Sequence, residues 1–247
     1  MSLVESLNRQ GNILFKHRGQ IPLVLFPLAI PAVYFANVAL IAPEKAMWLG
    51  LVAIIVSILG AIVRAYTIGT TPRGTSGRNT TEQVAETINT TGIYSTVRHP
   101  LYLGNYLMWI GIVIYTLNFS FVIVVSLLYW IYYERIMIAE ENFLESKFGQ
   151  TFVDWSNRIP AFFPALHKFT KPIVSFSFKS VLRREYSGWL ATVVAFVYVD
   201  ILREFFIWKE LRINQTALYV LIGFVMVTLI LRTIKHQTKL LNEEGRS

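Results

Sequence analysis

The sequence predicts an all-α, polytopic integral membrane protein of about six transmembrane helices, two of them in a tight helical hairpin, with a polar motif segment on the cytoplasmic side. Three observations carry this. The chain of 247 residues is 54% hydrophobic and only 15% charged, against about 25% charged in soluble domains. Its mean hydropathy is +0.48. The apolar residues gather into runs near the ~20 residues that a helix needs to cross a bilayer core.

Taken in order, residues 1–20 are polar, with Glu5, Arg9, Lys16, His17 and Arg18. The first run, 21–41, is as long as a true crossing, so the start does not read as a cleavable signal peptide. Pro22, Pro27 and Pro31 predict a kinked or late-starting helix there, since each proline removes a backbone donor. A second span is expected at 46–68. The polar loop 69–91, rich in Gly, Thr and Asn, holds Gly74 and Gly77. It lacks the Gly-Lys-Ser/Thr ending and preceding strand of a phosphate loop, and reads as turn chemistry. Residues 101–138 form an apolar stretch of 38 residues with Asn118 near its middle. That is too long for one span and predicts a hairpin, whose second helix ends at Glu134 and Arg135.

Beyond it, Phe143, Leu144, Phe148, Phe152, Val153 and Trp155 recur at near-helical spacing among acids, predicting an amphipathic segment over 139–164 on the membrane surface. Gly149 interrupts it, and Pro160 and Pro164 stop it. Spans at 186–207 and 214–233 follow, the former with Asp200, Arg203 and Glu204 near its end. The expected division is an N-terminal segment with two spans (1–68), a central core (69–168, containing the hairpin 101–138) and a C-terminal pair of spans (169–247).

With alternating crossings, Lys45, Arg203, Lys209 and Arg212 fall on one side and the other 19 of the 23 basic residues on the opposite side. The positive-inside rule then puts both termini and the polar motifs in the cytoplasm. The net charge of +8 reads as orientation and attraction to anionic headgroups. The basic residues form no stripe on a soluble module, so a nucleic-acid partner is not expected. The absence of cysteine removes disulfides, thiolate nucleophiles and cysteine-based metal sites; no metal site is expected.

Two clusters carry chemistry. Arg98, His99 and Pro100 stand at the start of the hairpin. Proline favours the first turn of a helix, whose amino terminus offers N–H groups and positive dipole to an anion; alternatively Arg98 only snorkels to headgroups. Glu140 and Glu141 follow the hairpin, either as a solvated face or as carboxylates turned to a cytoplasmic cavity.

Together these clusters resemble the isoprenylcysteine carboxyl methyltransferase family of membrane-embedded enzymes, in its bacterial-type form. The family pattern runs Gly-x-Tyr-x-x-x-Arg-His-Pro-x-Tyr-x-Gly, then a hydrophobic hairpin, then Glu-Glu-x-x-Leu-x-x-x-Phe-Gly and a closing Arg-Val-Pro. Here the first half is Gly92, Tyr94, Arg98, His99, Pro100, Tyr102 and Gly104. The second is Glu140, Glu141, Leu144, Phe148 and Gly149, with Phe152 and Trp155 where tyrosines are frequent, then Arg158, Ile159 and Pro160.

The resemblance implies an S-adenosyl-L-methionine pocket built from Tyr94, His99, Pro100, Leu101, Tyr102 and Glu140. Arg158 would cover the cofactor, backbone from Glu86 to Asn89 would close the pocket, and Asn79 is a further candidate. The family's acceptor-binding arginine falls at Ile136 here; the nearest arginine, Arg135, becomes the acceptor-positioning candidate. No residue is assigned a catalytic proton transfer.

The implied function is O-methylation of an anionic carboxylate or phosphate on a lipid or lipid-anchored acceptor at the cytoplasmic leaflet, in the bacterial inner membrane. The alternatives are N-methylation of a phospholipid amine, methylation of a lipid A phosphate and, from another class, an NADPH-dependent sterol-type reductase.

Overall fold

The computed structural model describes residues 2–75 and 85–246. Among them the chain is helical, and the only extended pairing is a single bridge between Gly92 and Thr170. The helices are α1 (Leu3–Lys16), α2 (Leu25–Phe35), α3 (Pro43–Gly69), α4 (Pro100–Tyr115), α5 (Phe119–Phe148), α6 (Gln150–Ser156), α7 (Phe178–Trp208) and α8 (Gln215–Gln237).

Three of these, α3, α5 and α8, are long and apolar enough to cross a membrane, and a fourth crossing results if α1 and residues 21–35, bent by 80°, count as one. This is fewer than the six expected. The 16-residue α4 is about 24 Å long, short of the ~30 Å core. Helix α7 has the length but carries Arg183, Arg184, Glu185, Asp200, Arg203 and Glu204. The first run breaks up because of its prolines: a 3₁₀ turn over 21–24, then the 11-residue α2 with Pro31 inside. Asn37, at a left-handed φ of 48°, ends it.

The hairpin forms with its turn at Thr116–Asn118. Asn118 accepts the Phe121 N–H at 3.0 Å, capping α5, while its amide donates to the Ala32 carbonyl at 2.8 Å. The amphipathic segment differs from expectation. Helix α5 runs unbroken past residue 138 to Phe148, and only Gly149, at φ 54°, separates it from α6. The motif acids therefore sit on the last turns of a long helix, held at a fixed register to the hairpin, and not on a separate surface helix.

Helices α3 and α4 approach through small residues, as membrane helices do when packing rather than hydrophobicity drives association. A Cβ on Gly60 would lie 2.6 Å from the Gly104 carbonyl oxygen, and one on Gly104 would lie 2.5 Å from Arg64 Cγ. Ser57 Oγ donates to the Met108 carbonyl at 3.0 Å in the same seam. This close contact sets Arg64 beside Asn105. Gly104→Val is expected to cost about 1–3 kcal/mol by overpacking, read as a lower melting temperature in detergent; an unchanged melt would mean that the seam is looser than described.

Candidate functional site

The two motif halves, far apart in sequence, are joined by backbone. The N–H groups of Arg98 and His99 donate to the carbonyls of Pro160 and Ala161 at 2.9 and 3.2 Å. Ala165 N–H reaches the Thr96 carbonyl at 2.9 Å, and Gly92 N–H reaches that of Thr170 at 3.1 Å. The segment after α6 thus runs antiparallel along residues 92–99. These bonds fix the start of α4 against the segment that follows the acids.

Side chains complete the link. Tyr102 Oη donates to Glu140 Oε1 at 2.6 Å. His99 lies 2.8 Å through Nε2 from Glu141 Oε1 and 3.5 Å through Nδ1 from Glu140 Oε2. Arg98 Nε is 3.0 Å from Glu141. Burial works against a charged His99, but its hydrogen bonds to Glu140 and Glu141 outweigh that and raise its pKa. Tyr94 is pushed up to about 12 by burial and by the Glu140 charge, so its hydroxyl stays protonated.

A raised pKa means that the His99 contribution is complete below the ordinary histidine value of about 6.5 and is lost as pH rises through the higher folded value. Stability should therefore fall as pH climbs above that range in the native protein, and the fall should vanish in His99→Gln. A pH-independent melt in the native protein would contradict the assignment.

Around this cluster lies a cavity of about 320 Å³, within the ~300–1,000 Å³ of small-molecule sites. Of the residues singled out from sequence, Asn89, Tyr94, His99, Pro100, Leu101, Tyr102 and Glu140 all line it. Thr87 and Ile88 join them and Glu86 does not; Asn79 lies outside the described residues. Phe143, Leu144, Phe152 and Trp155 give one end an apolar wall.

Two candidates are not brought in. Arg158 is exposed and donates to the Asp154 carbonyl one turn back. Arg135 donates to Gln10 and to the Ile131 carbonyl and borders a different, apolar groove.

Other cavity residues escaped the sequence reading. Arg64 of α3 forms a two-pronged pair with Glu185 of α7, both contacts at 2.7 Å, and donates to Asn105 of α4 at 2.5 Å. Arg184 and, from the N-terminal segment, Phe15 and Arg18 also face the cavity. Ionisable residues within apolar spans were the available signal, but Arg64 and Arg184 were read only as topology charges.

The phospholipid methyltransferase family profile matches residues 45–151, from the start of α3 to the first turn of α6. Residues 45–151 are thus similar to the phospholipid methyltransferase family. The chain aligns with a nickel-cobalt-cadmium resistance protein of Alcaligenes xylosoxydans xylosoxydans at 36% identity, over 38% of this chain and 41% of that one. A cobalt-zinc-cadmium resistance protein of Cupriavidus metallidurans matches at 38% identity over 32% and 37% of the two chains. The protein-S-isoprenylcysteine O-methyltransferase of Schizosaccharomyces pombe matches at 31% identity over 31% and 33%. The chain spans 33–41% of the length of these relatives. No solved structure matches it. The matched residues supply Tyr94 through Glu141, whereas Arg18, Arg184 and Glu185 come from outside them.

Proposed function

We propose that this protein is an integral membrane S-adenosyl-L-methionine-dependent methyltransferase that O-methylates an anionic group on a lipid or lipid-anchored acceptor at the cytoplasmic leaflet. The observation that carries it is the convergence of six motif residues and Asn89 on one polar-and-aromatic cavity, in a segment similar to the phospholipid methyltransferase family. The residues present fit the cofactor. Glu140 and the aromatic faces of Tyr94, Tyr102 and Tyr133 suit its cationic groups; Phe143, Leu144, Phe152 and Trp155 suit a purine. Bound there, the cofactor would supply an electrophilic methyl group for transfer to the acceptor oxygen.

The chain's own part is alignment and exclusion of water. An ionised oxygen needs no general base. In keeping with this, Glu140 and Glu141 are engaged by Tyr102, His99 and Arg98, which favours an oxygen over an amine acceptor. Residues 69–168 form the methyltransferase core in this reading, flanked by 1–68 and 169–247. Counting the short, hairpinned α4 and the charged α7 as crossings gives six in this reading, and the excess of basic residues supports a cytoplasmic side for the termini and cavity, in a bacterial inner membrane.

Membranes containing the protein, incubated with methyl-tritiated S-adenosylmethionine, should yield label in the lipid extract or on a lipidated protein. Release as methanol in mild base identifies a carboxyl ester, and retention identifies a phosphate ester. Label in a methylated amine headgroup would contradict O-methylation.

A further inference from the structure

Beside the cavity lies a second space, an apolar groove of about 530 Å³ between the α1–α2 segment and α5. Its walls include Ile13, Leu14, Pro22, Leu25, Val125 and Leu128, and Tyr133 lines both spaces. Helix α1 forms the partition. It is held against α5 at Gly11, where a Cβ would run into the Arg135 carbonyl and the Ala139 side chain. One turn on, Phe15, 5% exposed, packs with Tyr102, Tyr133, Ile136 and Met137. A capping box between Ser2 and Glu5 starts the helix. The consecutive residues Leu14 and Phe15 thus face the groove and the cavity respectively.

Arg18 follows at the bend. Its guanidinium sits 3.8 Å from the Phe15 ring centroid, a cation–π contact that restricts its position. It lines the cavity together with Tyr102 and Tyr133. The cavity's other arginines are placed differently. Arg64 lies on α3, where it pairs with Glu185 of α7, and Arg98 stands just before α4. Arg184 comes from α7. Arg18 alone of these arginines comes from the α1–α2 segment, which also walls the groove.

We infer that Arg18 receives the anionic headgroup of the acceptor, whose hydrocarbon tail occupies the groove beneath α1. The acceptor is then an amphiphile with an apolar tail and a carboxylate or phosphate, entering from the bilayer side past Tyr133. This assignment rests on the methyltransferase reading for the identity of the amphiphile as substrate. It replaces Arg135, which Gln10 holds at the groove and away from the cavity.

The test is binding to purified protein in an uncharged maltoside detergent, with no cofactor present. Three probes are titrated: dodecyl phosphate, N-acetyl-S-farnesylcysteine and the methyl ester of the latter, which keeps the tail and loses the charge. At least one anionic probe should bind about tenfold more tightly than the ester, the order expected for a charge-assisted hydrogen bond; whichever does so distinguishes phosphate from carboxylate.

Arg18→Gln should abolish the preference, Arg18→Lys should restore part of it, and Lys16→Gln, which removes an exposed charge from the same helix, should leave it intact. Equal binding of all probes by the native protein, retention of the preference in Arg18→Gln, or its loss only in Arg135→Gln would each overturn the assignment. A separate titration with S-adenosylhomocysteine distinguishes the two levels. Failure of the native protein to bind it would sink the methyltransferase reading, while the amphiphile preference would still decide the role of Arg18.

Discussion

Arg64→Ala is expected to be the most damaging single substitution in the molecule. Glu185 is 1% exposed and holds both of its oxygens 2.7 Å from the Arg64 guanidinium. Removing the arginine leaves a carboxylate in a low-dielectric interior without its counter-charge, a loss of about 3–5 kcal/mol in buried pairs. The pair also ties α3 to α7, with Asn105 of α4 as third member, so three helices lose a common anchor. The melting temperature in detergent should drop sharply. The double variant Arg64→Met/Glu185→Met should regain most of it, because deleting both charges removes the desolvation cost as well as the attraction. A double variant as unstable as Arg64→Ala would mean that the pair is not an isolated two-charge unit.

The second large effect is on ligand binding. His99→Ala and Glu140→Ala should each weaken S-adenosylhomocysteine binding, while Glu145→Ala should not. His99 bridges both acids, and Glu140 accepts from Tyr102. Losing one hydrogen bond to a charged group costs about 1.5–3 kcal/mol, or roughly ten- to a hundredfold in affinity. Glu145 lies on the same helix, exposed and outside the cavity, which makes it the control. Equal losses at all three positions, in calorimetry on folded protein, would point to a disturbed helix end rather than a pocket.

The parts of this architecture that were legible in sequence are those written in local chemistry. Asn118 at the middle of a long apolar run marked the hairpin turn because a capping amide and a chain reversal need that residue type. Gly149 marked a helix break because only glycine enters its backbone region at little cost. Seven of the eight cofactor candidates line one cavity, six of them because they belong to two short motifs that fold against each other.

What escaped depends on long-range packing. Periodicity does not show that α5 continues to Phe148, since the acids after residue 138 look like solvent-facing residues until their partners on α4 are known. The shortness of α4 is equally invisible to a hydropathy window, whereas the late start of α2 was legible in Pro22, Pro27 and Pro31. Arg64, Arg184 and Glu185 were hidden for a related reason: near the end of an apolar run, a charge at the headgroups and a charge turned into a cavity have the same sequence. Arg158 went the other way, placed by pattern at the cofactor and found on the surface, bonded to its own helical turn.

The central claim is that the cavity bordered by Tyr94, His99, Tyr102 and Glu140 holds S-adenosylmethionine. Calorimetric titration of the purified native protein with S-adenosylmethionine, S-adenosylhomocysteine and NADPH, repeated with His99→Ala, tests it most directly. The first two ligands should bind the native protein, with affinity lowered at least about tenfold in the variant, and NADPH should give no heat of binding. Binding of NADPH with no response to either adenosyl ligand would contradict the account and reassign the cavity to a nicotinamide-dependent reductase.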